Sequence, residues 1–173
     1  RTHNFVFSRK LAHLLVGFAI LSWPVLFDTP LPIVMLAVSA LVIFSATHAR
    51  EVFYGVQRKG RLSEIYFAFS CAVCLATGWW IDPWVGVSAS LFLAWGDGVT
   101  GLIRYPLYHT QHEKGWAGSI GMLVSCLLIG LLVEPYWVGA VGAVAATLLE
   151  RQKWVDDNIA APLGALAIMV ALV

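Results

Sequence analysis

The stretch DPWVGVSASLFLAWGDGVTGLIR, residues 82–104, decides the fold. Asp82-Pro83 pairs a capping acid with a proline suited to open a helix. The apolar run that follows, 83–103, has the length of a membrane span, about 20 residues for a ~30 Å hydrocarbon core. Its one ionisable side chain is Asp97. A carboxylate at or near membrane depth is costly and usually functional. The flanking Gly96, Gly98 and Gly101 let the backbone bend and let a ligand come close.

The rest of the chain agrees with this stretch. Of its 173 residues 60% are hydrophobic and 12% charged, with mean hydropathy +0.79, against about 45–50% and about 25% in soluble domains. A formal net charge of +1 offers no basic excess for a phosphate backbone, so nucleic acid is not an expected partner. The lipid bilayer is. Apolar runs fall at 11–27, 31–49, 65–81, 83–103, 116–133, 136–149 and 159–173. They predict an all-α, polytopic membrane bundle of about seven transmembrane helices, one membrane-embedded domain over 1–173. The last two runs are short for the core and must tilt little, extend into their flanks or be partly re-entrant.

Tight turns at Asp28-Thr29-Pro30, Asp82-Pro83 and Glu134-Pro135 alternate with longer polar connections at 50–64, 104–115 and 150–158. On seven alternating spans all 11 Lys and Arg lie on the N-terminal side. The positive-inside rule makes that side cytoplasmic and puts the C-terminus outside. The first ten residues are polar and no small-residue cleavage site follows the first apolar run, so no secretory leader is expected. The chain opens on Arg1 rather than Met, as a trimmed chain would. Cys71, Cys74 and Cys126 all sit in apolar runs and read as packing residues despite the C-x-x-C spacing. Gly139/Ala143 and Ala161/Ala165 suit close helix contact.

Four polar groups gather on the predicted cytoplasmic half. Asp97 is the first, with an ion pair to a helix-end arginine as its structural alternative. The second is Glu150 with Asp156, Asp157 and Asn158, hard oxygen donors suited to Mg²⁺ but equally to capping the last helix. Lys114-Gly115-Trp116-Ala117-Gly118-Ser119 combines a lysine, a hydroxyl and free helix-end amides into a phosphate cradle, although Lys114 could simply mark the interface. Arg9, Lys10 and His13 form the fourth group, with Arg9 and His13 on one helix face; a topology signal and a buried histidine explain them as well. His109-x-x-His112-Glu113 lacks a fourth partner and is discounted as a metal site. Cations for phosphates, carboxylates for Mg²⁺ and a buried acid facing lipid are the parts needed for phosphoryl or nucleotidyl transfer to a lipid.

These motifs resemble the polyprenol, phytol and dolichol kinases and the CTP-dependent diacylglycerol kinases, over nearly the whole chain. Arg9-Lys10-Leu11-Ala12-His13 resembles an opening R-K-x-x-H, and Gly96-Asp97-Gly98 a G-D-G at a helix end. Lys114 to Met122 is similar to K-S-x-A-G-S-I-A-M, and Glu150, Asp156-Asp157-Asn158 and Pro162 to E…D-D-N-x-x-x-P. Where relatives carry G-R-x-x-G after the G-D-G, this chain has Thr100-Gly101-Leu102-Ile103-Arg104-Tyr105-Pro106, and only Arg104 carries over. The resemblance implies γ-phosphoryl transfer from CTP to an isoprenoid or similar lipid alcohol with Mg²⁺. Asp97 and Lys114 would be catalytic. Arg9, Lys10, His13, Arg104, Gly118 and Ser119 would bind nucleotide and phosphate. Asp97, Glu150, Asp156, Asp157 and Asn158 would serve the metal. A related cytidylyltransferase is the enzyme alternative, and a small transporter or scaffold is the non-enzyme one.

The topology has a direct check. Single cysteines at positions 58, 109 and 153, in a cysteine-free background, should label only from the cytoplasmic side, and those at 134 and 173 only from outside. Labelling of position 109 from outside would overturn the arrangement.

Overall fold

The computed structural model describes residues 2–50, 52–53, 57, 61–108 and 115–173. Among them it contains no strand. It is an all-α bundle of seven rods: α1 (Thr2–Leu26), α2 (Leu31–Thr47), α3 (Ser63–Ile81), a composite rod, α6 (Trp116–Gly130), α7 (Tyr136–Arg151) and α8 (Asp157–Leu172). The composite rod is α4 (Pro83–Leu91), a π-helical turn (Phe92–Asp97) and α5 (Gly98–Tyr108). The seven apolar runs each become one rod, with two differences. Helix α1 starts well before its apolar run and takes in the polar opening residues, and the fourth rod is interrupted by a π-helical turn just where its glycines begin.

Four rods, around 8–26, 31–50, 63–81 and 83–104, are long and apolar enough to cross a membrane. Helices α6, α7 and α8 have 15, 16 and 16 residues and so rise about 23–24 Å, short of the ~30 Å core. Trp80, Tyr136 and Trp137 are exposed at one end of the bundle, and Trp116 and Trp154 at the other, the distribution of interfacial aromatic belts.

Punctuation follows the sequence in part. Asp82 Oδ1 accepts from Trp84 N at 2.8 Å, capping α4 ahead of Pro83. At the starts of α2 and α7 the prolines Pro30 and Pro135 themselves hold the N-cap position, without a side-chain cap.

The composite rod is the hub. Two thirds of its span is buried, 67% against 6% for α2, and Val85, Val87, Ala89, Leu91, Phe92 and Ala94 are fully enclosed. Helices α1, α3, α6 and α8 pack around it, α7 packs on α6 and α8, and α2 lies outside α3. Lipid is as apolar as these side chains, so close backbone packing holds such helices together. Ala143, Ala161 and Ala165 are buried as expected, and all three cysteines are buried and unbridged. At the α6–α7 contact two glycines touch: a Cβ on Gly139 would lie 2.0 Å from the carbonyl oxygen of Gly130.

That contact makes a stability prediction. Gly139→Ala forces two backbones apart and should destabilise the protein by about 1–3 kcal/mol, whereas Val144→Ala on the exposed face of the same helix should cost under about 0.5 kcal/mol. Unfolding in mixed micelles measures both, and equal losses would show that the glycine contact is not tight.

Candidate active site

The composite rod widens where the glycines begin. A π-helical turn inserts an extra residue and redirects the side chains after it, a feature common at functional sites. Here it ends on Asp97. Thr100 then fastens the start of α5, its Oγ1 donating to Gly96 O at 2.8 Å and lying 3.3 Å from Gly118 O of α6.

Asp97 meets Lys10 of α1. Lys10 Nζ donates to Asp97 Oδ2 at 2.6 Å and to the Asp97 carbonyl at 2.9 Å, and only 3% of Lys10 is exposed. The lysine reaches so far because residue 101 is glycine: a Cβ there would stand 2.2 Å from Lys10 Cε. His13, one turn on, places Nδ1 3.5 Å from Asp97 Oδ2 without a hydrogen bond, its ring stacked on Phe67 at 4.3 Å. The expected alternative, an arginine partner for Asp97, is corrected: the partner is Lys10.

Arg104 is bound elsewhere. Its Nη1 and Nη2 grip Glu150 Oε1 and Oε2 at 2.9 and 3.2 Å, both side chains buried. Fork-to-fork geometry of this kind is the strongest form of the interaction. Arg104 Nε has no protein partner. Gly118 makes the room, since a Cβ there would stand 2.4 Å from that Nε. Ser119 faces away toward Arg151, whose Nη1 is 3.3 Å from Ser119 Oγ and whose guanidinium lies over the Trp116 ring at 4.1 Å.

A cavity of about 500 Å³ opens beside these pairs, within the 300–1,000 Å³ usual for small-molecule sites. Its wall carries four cations, Arg9, Lys10, Arg61 and Arg104, and three carboxylates, Asp97, Asp156 and Asp157, with Tyr66, Thr100 and Asn158 among them. Glu150, His13, Gly118 and Ser119 stand off this wall. Lys114 lies outside the described residues, as do His109, His112 and Glu113.

Asp156 serves two ends at once. Its Oδ1 accepts from Asn158 N at 3.0 Å, capping α8, and from Asn158 Nδ2 at 2.7 Å; that same Nδ2 lies 3.3 Å from Asp157 Oδ1. Capping and a place on the cavity wall are thus compatible. Among the described residues no three Asp, Glu, His or Cys side chains converge on one point to form a ready-made metal cage. The oxygen donors of Asp97, Asp156 and Asp157 instead suit a hard cation that arrives with phosphate ligands of its own.

Arg61 and Tyr66 are the members that sequence reading misses. Arg61 belongs to a basic connection that reads only as a topology signal. It is brought to the cavity because the α2–α3 link is fixed at both ends: His48 Nδ1 lies 2.7 Å from Glu64 Oε1, and Gln57 Nε2 donates to Thr47 Oγ1 at 2.8 Å and to Phe44 O at 3.2 Å.

Comparison with known proteins places this arrangement. The chain is 30% identical to the probable phytol kinase 1, chloroplastic, of Glycine max over 93% of its own length and 65% of the relative's. To the probable phytol kinase of Zea mays it is 26% identical over 95% and 66%, and to phytol kinase 1 of Arabidopsis thaliana 25% over 90% and 63%. The chain is thus similar to phytol kinases over at least nine tenths of its own length. It spans just under two thirds of the length of these relatives. No family model and no solved structure matches it.

The ion pair at the centre of the site generates a double-mutant prediction. Asp97→Asn alone strands a buried ammonium and should cost about 3–5 kcal/mol. Lys10→Met combined with Asp97→Leu should recover most of that loss, because an apolar pair of similar volume replaces the buried ions. Additive losses in the double variant would show that the two side chains do not form a pair.

Proposed function

We propose that the protein is a membrane lipid kinase that moves the γ-phosphoryl group of CTP to the hydroxyl of an isoprenoid alcohol. One observation carries the reading: four cations and three carboxylates share one cavity at the end of an apolar bundle, in a chain similar to phytol kinases over at least nine tenths of its length. A nucleoside triphosphate needs cationic neutralisation, and its lipid acceptor needs an approach from the bilayer. Few soluble folds offer both.

In this reading Arg9, Arg61 and Arg104, all on the cavity wall, hold the polyphosphate. Glu150 is a positioning residue, fixing the guanidinium plane. Mg²⁺, held by Asp156 and Asp157 together with nucleotide phosphates, would neutralise charge on the transferred group and the leaving diphosphate. Asp97 accepts the hydroxyl proton as the alcohol oxygen bonds to the γ-phosphorus and the bond to the β-phosphate oxygen breaks, releasing CDP. Lys10 holds that carboxylate in place until then. The cavity lies at the end that carries Arg9, Lys10, Arg61 and Arg104, the cytoplasmic side under the positive-inside rule.

Purified protein in lipid, supplied with Mg²⁺, a prenyl alcohol and either CTP or ATP, should form prenyl monophosphate faster from CTP. Absence of any nucleotide turnover would favour a transporter or scaffold. Asp157→Ala should lower turnover by about 10²-fold or more, since it touches electrostatic stabilisation of the transferring group, with partial rescue at raised Mg²⁺. Activity within twofold of wild type would remove Asp157 from the site.

A further inference from the structure

A second cavity, about 480 Å³ and apolar, runs between α1, the π-helical turn and α6. Its walls include Leu14, Leu21, Trp95, Val99 and Leu132, and its one hydroxyl, Ser125 Oγ, is already donated to Gly121 O at 2.8 Å. Nothing in it asks for a polar ligand. Its place is informative: Leu14 lies one turn of α1 on from Lys10, and Gly98, which it meets, follows Asp97. The groove and the charged cavity therefore both take part of their wall from α1 and the composite rod. A Cβ on Gly98 would stand 3.3 Å from Leu14 Cδ2, so at that point the partition is a single leucine against a bare backbone. Trp95 is fixed in the wall by Nε1 donating to Leu14 O at 3.1 Å, and a Cβ at Gly17 would stand 2.0 Å from that Nε1, so the indole lies flush with α1.

We propose that this groove holds the first part of the acceptor's prenyl chain and aims its hydroxyl past Leu14 and Gly98 at Asp97. The proposal rests on the lipid-kinase reading and adds where the acceptor binds and how much of it is recognised. From Leu14 to Leu21 the helix rises about 10 Å at 1.5 Å per residue. An isoprene unit, four chain bonds of about 1.5 Å, extends roughly 5 Å. The groove thus measures about two isoprene units, and the remainder of a longer tail lies in the bilayer, where it meets no protein wall. Recognition saturates at ten carbons.

The test uses the whole chain in nanodiscs with prenyl alcohols of five, ten, fifteen and twenty carbons. The KM should fall by at least about tenfold from five to ten carbons as apolar surface enters the groove, and by less than about twofold from fifteen to twenty. Ser125→Phe, which fills the middle of the groove, should raise KM for the ten-carbon and longer alcohols about tenfold or more while leaving the nucleotide KM within about twofold. Leu128→Trp, at an exposed position on the rim, supplies the same comparison if Ser125→Phe does not fold. A KM that keeps falling through twenty carbons, or a filled groove without effect, overturns the proposal.

A farnesyl alcohol carrying a diazirine reads occupancy without turnover. Adducts at Trp95 and Leu132, displaced by unlabelled farnesol and not by phosphatidylcholine, place the acceptor in the groove even if no alcohol is phosphorylated, an outcome that sinks the kinase reading alone. Labelling no stronger than at Val38 and Val42 of α2, on the lipid-facing side, would show ordinary bilayer lipid in the groove and overturn the proposal.

Discussion

A carboxylate inside an apolar bundle has to be partnered, because its desolvation far exceeds what packing around it returns. Asp97 meets this constraint with Lys10, across 87 residues of chain. Much of the cytoplasmic end follows from that pair. It brings α1 against the composite rod, it requires glycine at position 101 to admit the lysine stem, and it holds the turn that ends the π-helical segment. Arg104 and Glu150 repeat the arrangement between α5 and α7. Two buried ion pairs thus join rods whose other contacts are mostly apolar and close to neutral with respect to lipid.

The rods were readable because hydropathy is a local property: each apolar run maps onto one rod, and Asp82-Pro83 starts α4 where its chemistry says it should. The interruption at Phe92–Asp97 was not readable. Whether a turn closes on the fourth or the fifth residue depends on what packs against it, here Met122 and Cys126 beside Gly96, and no local pattern of residues records that. The site divides in the same way. Arg9, Lys10, Asp97, Arg104, Asp156, Asp157 and Asn158, named from chemistry and spacing, line one cavity. Which cation meets which anion is a matter of long-range geometry: the structural alternative for Asp97 names an arginine, and the partner is Lys10. Arg61 escaped notice because a charge in a polar connection looks the same whether it faces solvent or a site.

Two cavities of opposite character that both take part of their wall from α1 and the composite rod suit a reaction between a polyphosphate and a lipid. The polar one is lined by charges that need water or phosphate; the apolar one needs neither, and Leu14 against Gly98 separates them. A bundle that keeps its cations and their partner carboxylates at one end, stitched by buried pairs, can hold such a boundary without a soluble domain. Gly98 and Gly101 keep the partition thin by contributing no side chain to it.

The central claim is phosphoryl transfer at this boundary, and the fate of an isotopic label tests it most directly. Parallel reactions with CTP labelled at the γ- or the α-phosphorus, with Mg²⁺ and a prenyl alcohol, should place the γ label in the lipid product and leave the α label in CDP. Recovery of the α label in the lipid, with release of pyrophosphate, would contradict the account and make the same charged cavity the site of cytidylyl transfer.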